Sequence, residues 1–170
     1  GIISVHANTT ANALHYAYRH VGDPTTRRLL LLQGAAFMPL FRDLLGGERS
    51  DLGIDTLTAP EQGGAADSDP EGIFASVGVD RVEAARKTLG YLSSGGAEQP
   101  FITLARGFTV DRARGYHDYK FTEAAFENTA AMGSPWRERY LAASTLYLNG
   151  PADPPNEVAA RARALLGSRP

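Results

Sequence analysis

Apolar side chains recur along most of the chain at intervals of three and four residues, the spacing typical of amphipathic α-helices. No stretch alternates apolar and polar residues as a half-buried strand would. The pattern therefore predicts an all-α fold of six to eight helices in one domain spanning residues 1–170. The predicted helical segments are 4–20, 24–45, 71–77, 81–92, 100–108, 111–132, 136–148 and 155–167.

Three of these helices carry recognisable start signals. Asp23-Pro24 and Asp69-Pro70 each place a capping carboxylate before a proline that fits the first helical position. Asp80 is followed three residues later by Glu83, which resembles a capping box. We therefore expect helices to begin directly after residues 23, 69 and 80.

The segment Pro24–Leu45 is apolar almost all the way round the helix, a distribution typical of a buried central helix. Pro39 lies inside it and is expected to kink or split it near Phe37. Gln33 is a lone polar side chain within the apolar run. If it is buried, its amide must be hydrogen-bonded, so we expect Gln33 to hold a core water, cap a neighbouring helix or orient a ligand-binding histidine.

Residues 46–69 are rich in glycine, aspartate, serine and proline, and they predict one long loop. Such a loop is a lid, a processing site or a plain surface segment. Because it offers few apolar residues for burial, we expect it to be the least protected part of the chain and the first to be cut by a protease.

Composition excludes several classes of protein. The chain has 170 residues, a net charge of −2 and no cysteine, so a thiolate metal site, a thiol nucleophile and a disulfide framework are absent. No basic block predicts nucleic-acid binding, and no apolar run approaches the 18 or so residues that span a bilayer. These features favour a cytoplasmic location. Because residue 1 is glycine, we expect a processed or partial product of a longer chain.

All four histidines fall in two of the predicted helices: three in 4–20 and one in 111–132. On the first helix, Thr10 shares the face of His6, and Asn12 lies not far from it. On the second, Phe121 shares the face of His117. If the two helices pack together, His6 and His117 are expected to face one pocket.

Two histidines with a carboxylate can ligate a transition metal such as iron, and Glu127 is the carboxylate expected to complete the set with His6 and His117. Without a metal, His6 and His117 become candidate acid–base groups, with Asp118 as a further catalytic acid. The chain lacks the Glu-x-x-His and His-Glu-x-x-His spacings by which such metal sites are recognised.

Two functions remain open from the sequence. The first is a helical-bundle enzyme or enzyme subunit, such as a metal-dependent oxidoreductase or oxygenase, that takes a small organic substrate between the His6 and His117 helices. The second is a non-catalytic helical interaction module or structural subunit in which the histidines are structural. The sequence leaves the oligomeric state open.

Overall fold

The computed structural model describes residues 1–46, 52–61 and 69–167, and within those ranges the chain forms eight α-helices and no strand. The all-α prediction is therefore confirmed. The helices are α1 Ile2–His20, α2 Pro24–Leu44, α3 Pro70–Val77, α4 Arg81–Ser93, α5 Glu98–Arg112, α6 Tyr116–Ala131, α7 Trp136–Ser144 and α8 Glu157–Gly167. In the described part of the chain, no helix has both the length and the apolar character needed to cross a membrane.

The chain divides into two compact units, Gly1–Gly53 and Ile54–Pro170. The first unit contains the helical hairpin of α1 and α2, and the second contains α3 to α8. The prediction of a single domain over 1–170 stays a prediction, and each unit is described by itself.

In the first unit, α1 and α2 pack along each other across a three-residue connection. Asp23 caps α2 as the sequence predicted, because its carboxylate accepts hydrogen bonds from the Thr26 hydroxyl at 2.7 Å and the Thr26 amide at 2.6 Å. These hydrogen bonds hold the pKa of the Asp23 carboxyl below its ordinary value. The helix then continues through Pro39 as one element, so the predicted split does not occur.

The prediction that Pro24–Leu45 forms a buried central helix is wrong. None of the described residues of α1 or α2 is buried. Leu32 and Leu44 each leave 66% of their surface exposed, and Gln33 is exposed as well. Gln33 therefore needs no partner in a core. The physical reason is that periodicity reports how apolar a helix surface is, whereas burial depends on which neighbours cover it.

The core lies in the second unit, around Phe74 of α3. Phe74 is fully buried, and its ring centroid lies 5.1 Å from that of Phe101 and 5.2 Å from that of Phe108, both on α5. Other large core residues come from α3, α4, α6, α7 and the segments that precede α3 and follow α7: Leu57, Ile73, Val77, Leu89, Leu92, Phe121, Phe126, Leu141 and Leu148. Within this core, α3 packs against α4 and α5, and α7 packs against α4 and α6.

Gly150 follows α7 and lies close to the same cluster. A Cβ atom added at Gly150 would come within 2.9 Å of the Val77 side chain and 3.4 Å of the Phe74 carbonyl oxygen. Only glycine therefore lets the chain after α7 approach α3 so closely.

Part of the predicted 46–69 loop is anchored. Leu57 is buried, and one Nη atom of Arg139 on α7 donates to the carbonyl oxygens of Ile54, Asp55 and Leu57 at 3.3, 3.1 and 2.8 Å. Residues 47–51 and 62–68 lie outside the described residues. The expectation that a protease cuts first between 46 and 69 stays a prediction.

The predicted helix over 111–132 is two elements. α5 ends at Arg112, an extended linker of Ala113, Arg114 and Gly115 follows, and α6 begins at Tyr116. Gly115 is fully extended, with φ −176° and ψ −179°, which is incompatible with a continuing helix.

Candidate functional site

His6 and His117 lie in different units. His6 is exposed on α1, and His117 is half-buried in the first turn of α6, where the Tyr116 ring lies 4.1 Å from it between centroids. The pocket expected between these two histidines therefore stays a prediction.

The residues predicted around His6 are not core residues either. Thr10 and Asn12 are half-buried on α1. Gln33, offered as a buried partner for a histidine, is an exposed residue of α2. Their assignment to ligand binding stays a prediction.

The residues predicted around His117 have separate structural surroundings. Asp118 accepts a hydrogen bond from the backbone amide of Arg114 at 2.8 Å, which ties the linker before α6 to its first turn. Phe121 is buried and packs its ring 5.2 Å from that of Tyr147, so it belongs to the core of the second unit. Glu127 is exposed on α6.

No three or more histidine, aspartate or glutamate residues of the described chain come together in a way that could hold a metal ion. The metal set of His6, His117 and Glu127 therefore finds no support in the described residues and stays a prediction.

Two charged contacts of the second unit join its helices to one another. Arg137 of α7 donates from Nε and Nη2 to both carboxylate oxygens of Glu98 on α5, each at 2.6 Å, and thereby holds the pKa of Glu98 below its ordinary value. Arg106 of α5 makes the same two-bond contact with Glu123 of α6, at 2.9 and 2.7 Å. Because each charge is matched by its partner, these pairs are structural contacts rather than a free binding site.

A second polar cluster holds the segment after α7. Arg81 donates to the carbonyl oxygens of Leu146 and Leu148 at 3.2 and 2.7 Å, and its Nη2 lies 3.6 Å from the carboxylate of Asp153. Arg112 donates to the backbone carbonyl of Asp153 at 3.3 Å. These bonds satisfy backbone carbonyl groups of the segment that follows α7, which is again a structural role.

The hairpin of the first unit presents a different kind of feature, an open groove of about 440 Å³ between α1 and α2. Four of its lining residues come from α1 and five from α2: Ala11, Leu14, His15, Tyr18, Leu30, Leu31, Gly34, Ala35 and Met38. None of these described lining residues carries a permanent charge. His15 and Tyr18 supply the only polar side-chain atoms among them.

Charged residues occur only toward the ends of the hairpin. Residues 2–18 and 29–41 contain no lysine, arginine, aspartate or glutamate. Just after the connecting turn, the guanidinium of Arg27 lies 5.7 Å from the centre of the Tyr18 ring and donates from Nε to the Val21 carbonyl at 2.9 Å. Depletion of charge is what distinguishes the centre of a protein interface from ordinary surface.

The groove lies on an unusually apolar helix. Leu29, Leu31 and Leu40 of α2 expose between 53% and 59% of their surface, in addition to the two more exposed leucines described above. Of these five leucines, Leu31 alone is among the residues that line the groove, and Leu40 projects about 180° away from it around the helix axis, so the exposed leucines do not form one apolar face.

Sequence reasoning missed this groove because it read the apolar α2 pattern as burial. The signal that indicates it is the coincidence of the two charge-free runs, 2–18 and 29–41, on helices joined by a short turn. The groove is a candidate binding feature of the described part of the chain. No protein-family model matches the chain, and no curated protein or solved structure does either.

Proposed function

We propose that the chain is a helical interaction module that receives an apolar α-helix in the groove of the α1–α2 hairpin. The observation that carries this proposal is the groove itself: about 440 Å³, lined by residues without a permanent charge, on helices with no buried residue among those described. Of the two functions left open by the sequence, this is the interaction module rather than the enzyme.

The spacing of the lining residues supports a helix as the ligand. On α1 the groove is lined by Ala11, Leu14 and Tyr18, which follow one another at intervals of three and four residues. A surface stripe with this spacing lies along the helix axis, and two such stripes side by side form the trough into which a third helix packs. Helix-in-groove recognition of this kind uses apolar anchors at the same intervals on the ligand.

The test uses a designed amphipathic helical peptide with a leucine-rich face, labelled with a fluorophore and titrated with the full chain while its anisotropy is measured. The controls are two neighbouring alanines of α2. Ala35 and Ala36 are both exposed, but only Ala35 is among the residues that line the groove. Ala36 points away from it because successive helical residues diverge by about 100°.

We expect saturable binding by the unsubstituted chain, a loss of at least about tenfold with Ala35→Glu, and little change with Ala36→Glu, because only the first places a charge where the peptide must exclude water. A peptide of the same composition in scrambled order should not bind. Absence of binding, or equal losses in the two variants, would overturn the proposal.

A further inference from the structure

We infer that protonation of His15 closes the α1–α2 groove to an apolar helix, so that pH controls the affinity of the groove. This inference rests on the proposed function, since it concerns the regulation of the same groove. It applies to any apolar helix that fills the groove and depends on no particular partner. It is carried by the direction in which His15 points, by the absence of carboxylates along the described hairpin helices and by two nearby cations.

His15 is turned toward the open side of the groove. Leu14, the residue before it, points at α2, because its Cδ1 atom lies 3.7 Å from the place that a Cβ atom on Gly34 would take. Successive helical residues diverge by about 100°, so His15 points out of the hairpin, beside Ala11 one turn earlier. Both residues line the groove, and His15 is exposed to solvent. A helix seated in the groove therefore covers the His15 side chain and removes water from it.

Among the described residues that line the groove, His15 is the one whose side-chain type changes its charge near neutral pH. Tyrosine, the other ionisable type in the lining, titrates about three pH units higher. Covering a neutral imidazole costs little, whereas covering an imidazolium without a counter-charge is unfavourable. Protonation of His15 therefore opposes the binding of an apolar helix.

The described part of the first unit places no carboxylate along the middle of the hairpin. Residues 2–18 and 29–41 contain neither aspartate nor glutamate, and the described acids of this unit, Asp23 and Asp43, lie at the two ends of α2. An imidazolium at position 15 therefore meets no negative charge from α2. The α2 side chains that share the groove with His15 are all uncharged: Leu30, Leu31, Gly34, Ala35 and Met38.

Two cations lie on the side of His15 that faces the connecting turn. Arg19 follows His15 by four residues on α1, the spacing at which helical side chains are neighbours. Arg27 of α2 lies 5.7 Å from the centre of the Tyr18 ring, which lines the groove next to His15. Both cations repel a further positive charge, so they add to the cost of covering a protonated His15.

Binding and protonation therefore oppose each other. Because the filled groove favours the neutral imidazole, affinity is complete at the higher pH and is lost as pH falls through the range in which histidine gains its proton. About nine-tenths of ordinary histidine side chains carry the charge at about pH 5.5, and about one-tenth at about pH 7.5. A groove that accepts only the neutral form consequently loses affinity about tenfold between these two pH values.

The test repeats the anisotropy titration of the designed helical peptide with the full chain at about pH 7.5 and about pH 5.5. The peptide has blocked ends, a polar face of glutamine and a pH-insensitive fluorophore, so that it contributes no titrating group. Far-ultraviolet circular dichroism verifies that the chain keeps its helices at both pH values. We expect the dissociation constant of the unsubstituted chain to rise at least about threefold at the lower pH.

Three variants identify the group responsible. The rise should vanish in His15→Gln, which is neutral at both pH values. It should persist in His20→Gln, because His20 is an exposed histidine of the same helix that is not among the lining residues. His15→Lys, which is charged at both pH values, should bind weakly at both.

The outcomes separate the two proposals. No binding by the unsubstituted chain at either pH would overturn the proposed function and this inference with it. Binding of equal strength at both pH values would overturn the control by His15 and leave the groove as a helix-binding site. A pH dependence that survives in His15→Gln, or one that vanishes in His20→Gln, would assign the titration to another group and overturn the inference.

Discussion

Truncating a buried leucine of the second unit should lower the free energy of unfolding much more than truncating an exposed leucine of the first unit. Leu141 of α7 is fully buried, whereas Leu32 of α2 leaves 66% of its surface exposed and does not line the groove. Leu141→Ala removes a core side chain and leaves a cavity, which costs about 2–5 kcal/mol of unfolding free energy. Leu32→Ala gives up only about a third of the 1.5–3 kcal/mol of a fully buried leucine, or about 0.5–1 kcal/mol.

The assay is urea unfolding at low protein concentration, followed by far-ultraviolet circular dichroism for the whole chain. The single tryptophan, Trp136, lies in α7 and reports separately on the second unit. The midpoint should fall much further for Leu141→Ala than for Leu32→Ala, with the slope of the transition unchanged. If Leu32→Ala cost as much as Leu141→Ala, α2 would be covered in solution, and the assignment of the core to the second unit would be wrong.

Two further predictions concern the second unit. Glu98→Gln should lower the unfolding free energy at neutral pH by about 1 kcal/mol, because the half-exposed pair with Arg137 loses its charge. Since the folded-state pKa of Glu98 is lowered, that contribution is complete above the unfolded value of about 4.3 and is lost as pH falls through the folded value. Denaturant titrations of both proteins should converge in acid, and a constant difference at all pH values would contradict this origin. Gly150→Ala should lower the melting temperature because its Cβ would collide with α3, whereas Gly107→Ala on the open side of α5 should raise stability by up to about 1 kcal/mol; equal effects in thermal melts would refute the packing argument.

Local signals in the sequence predict much of the fold. The capping carboxylates Asp23, Asp69 and Asp80 mark helix starts in the structure as they do in the sequence, because the hydrogen bonds that cap a helix involve residues two or three positions away. Gly115, by contrast, breaks a helix that the apolar pattern extends from 111 to 132. A single glycine inside a periodic segment is compatible with either outcome until the surrounding packing is known.

The candidate site depends on contacts that the sequence does not reveal. Clustering of histidines singled out His6 and His117, yet the chain places them in separate units, and which residues share a pocket depends on contacts distant in sequence. The apolar run of α2 predicted burial, yet its residues are exposed or half-buried. Its residues are as apolar as those of a core helix, and only the structure distinguishes a helix covered by neighbours from one whose side chains stay exposed.

Chemical accessibility of the groove tests the central claim most directly. The chain has no cysteine, so Ala35→Cys and Ala36→Cys each introduce a unique thiol. The rate of alkylation should fall several-fold for Ala35→Cys when the designed helical peptide is added at saturation, because the bound helix covers the groove, and should change little for Ala36→Cys. Equal rates for Ala35→Cys with and without the peptide, or equal protection of the two thiols, would contradict the account of the α1–α2 groove as a helix-binding surface.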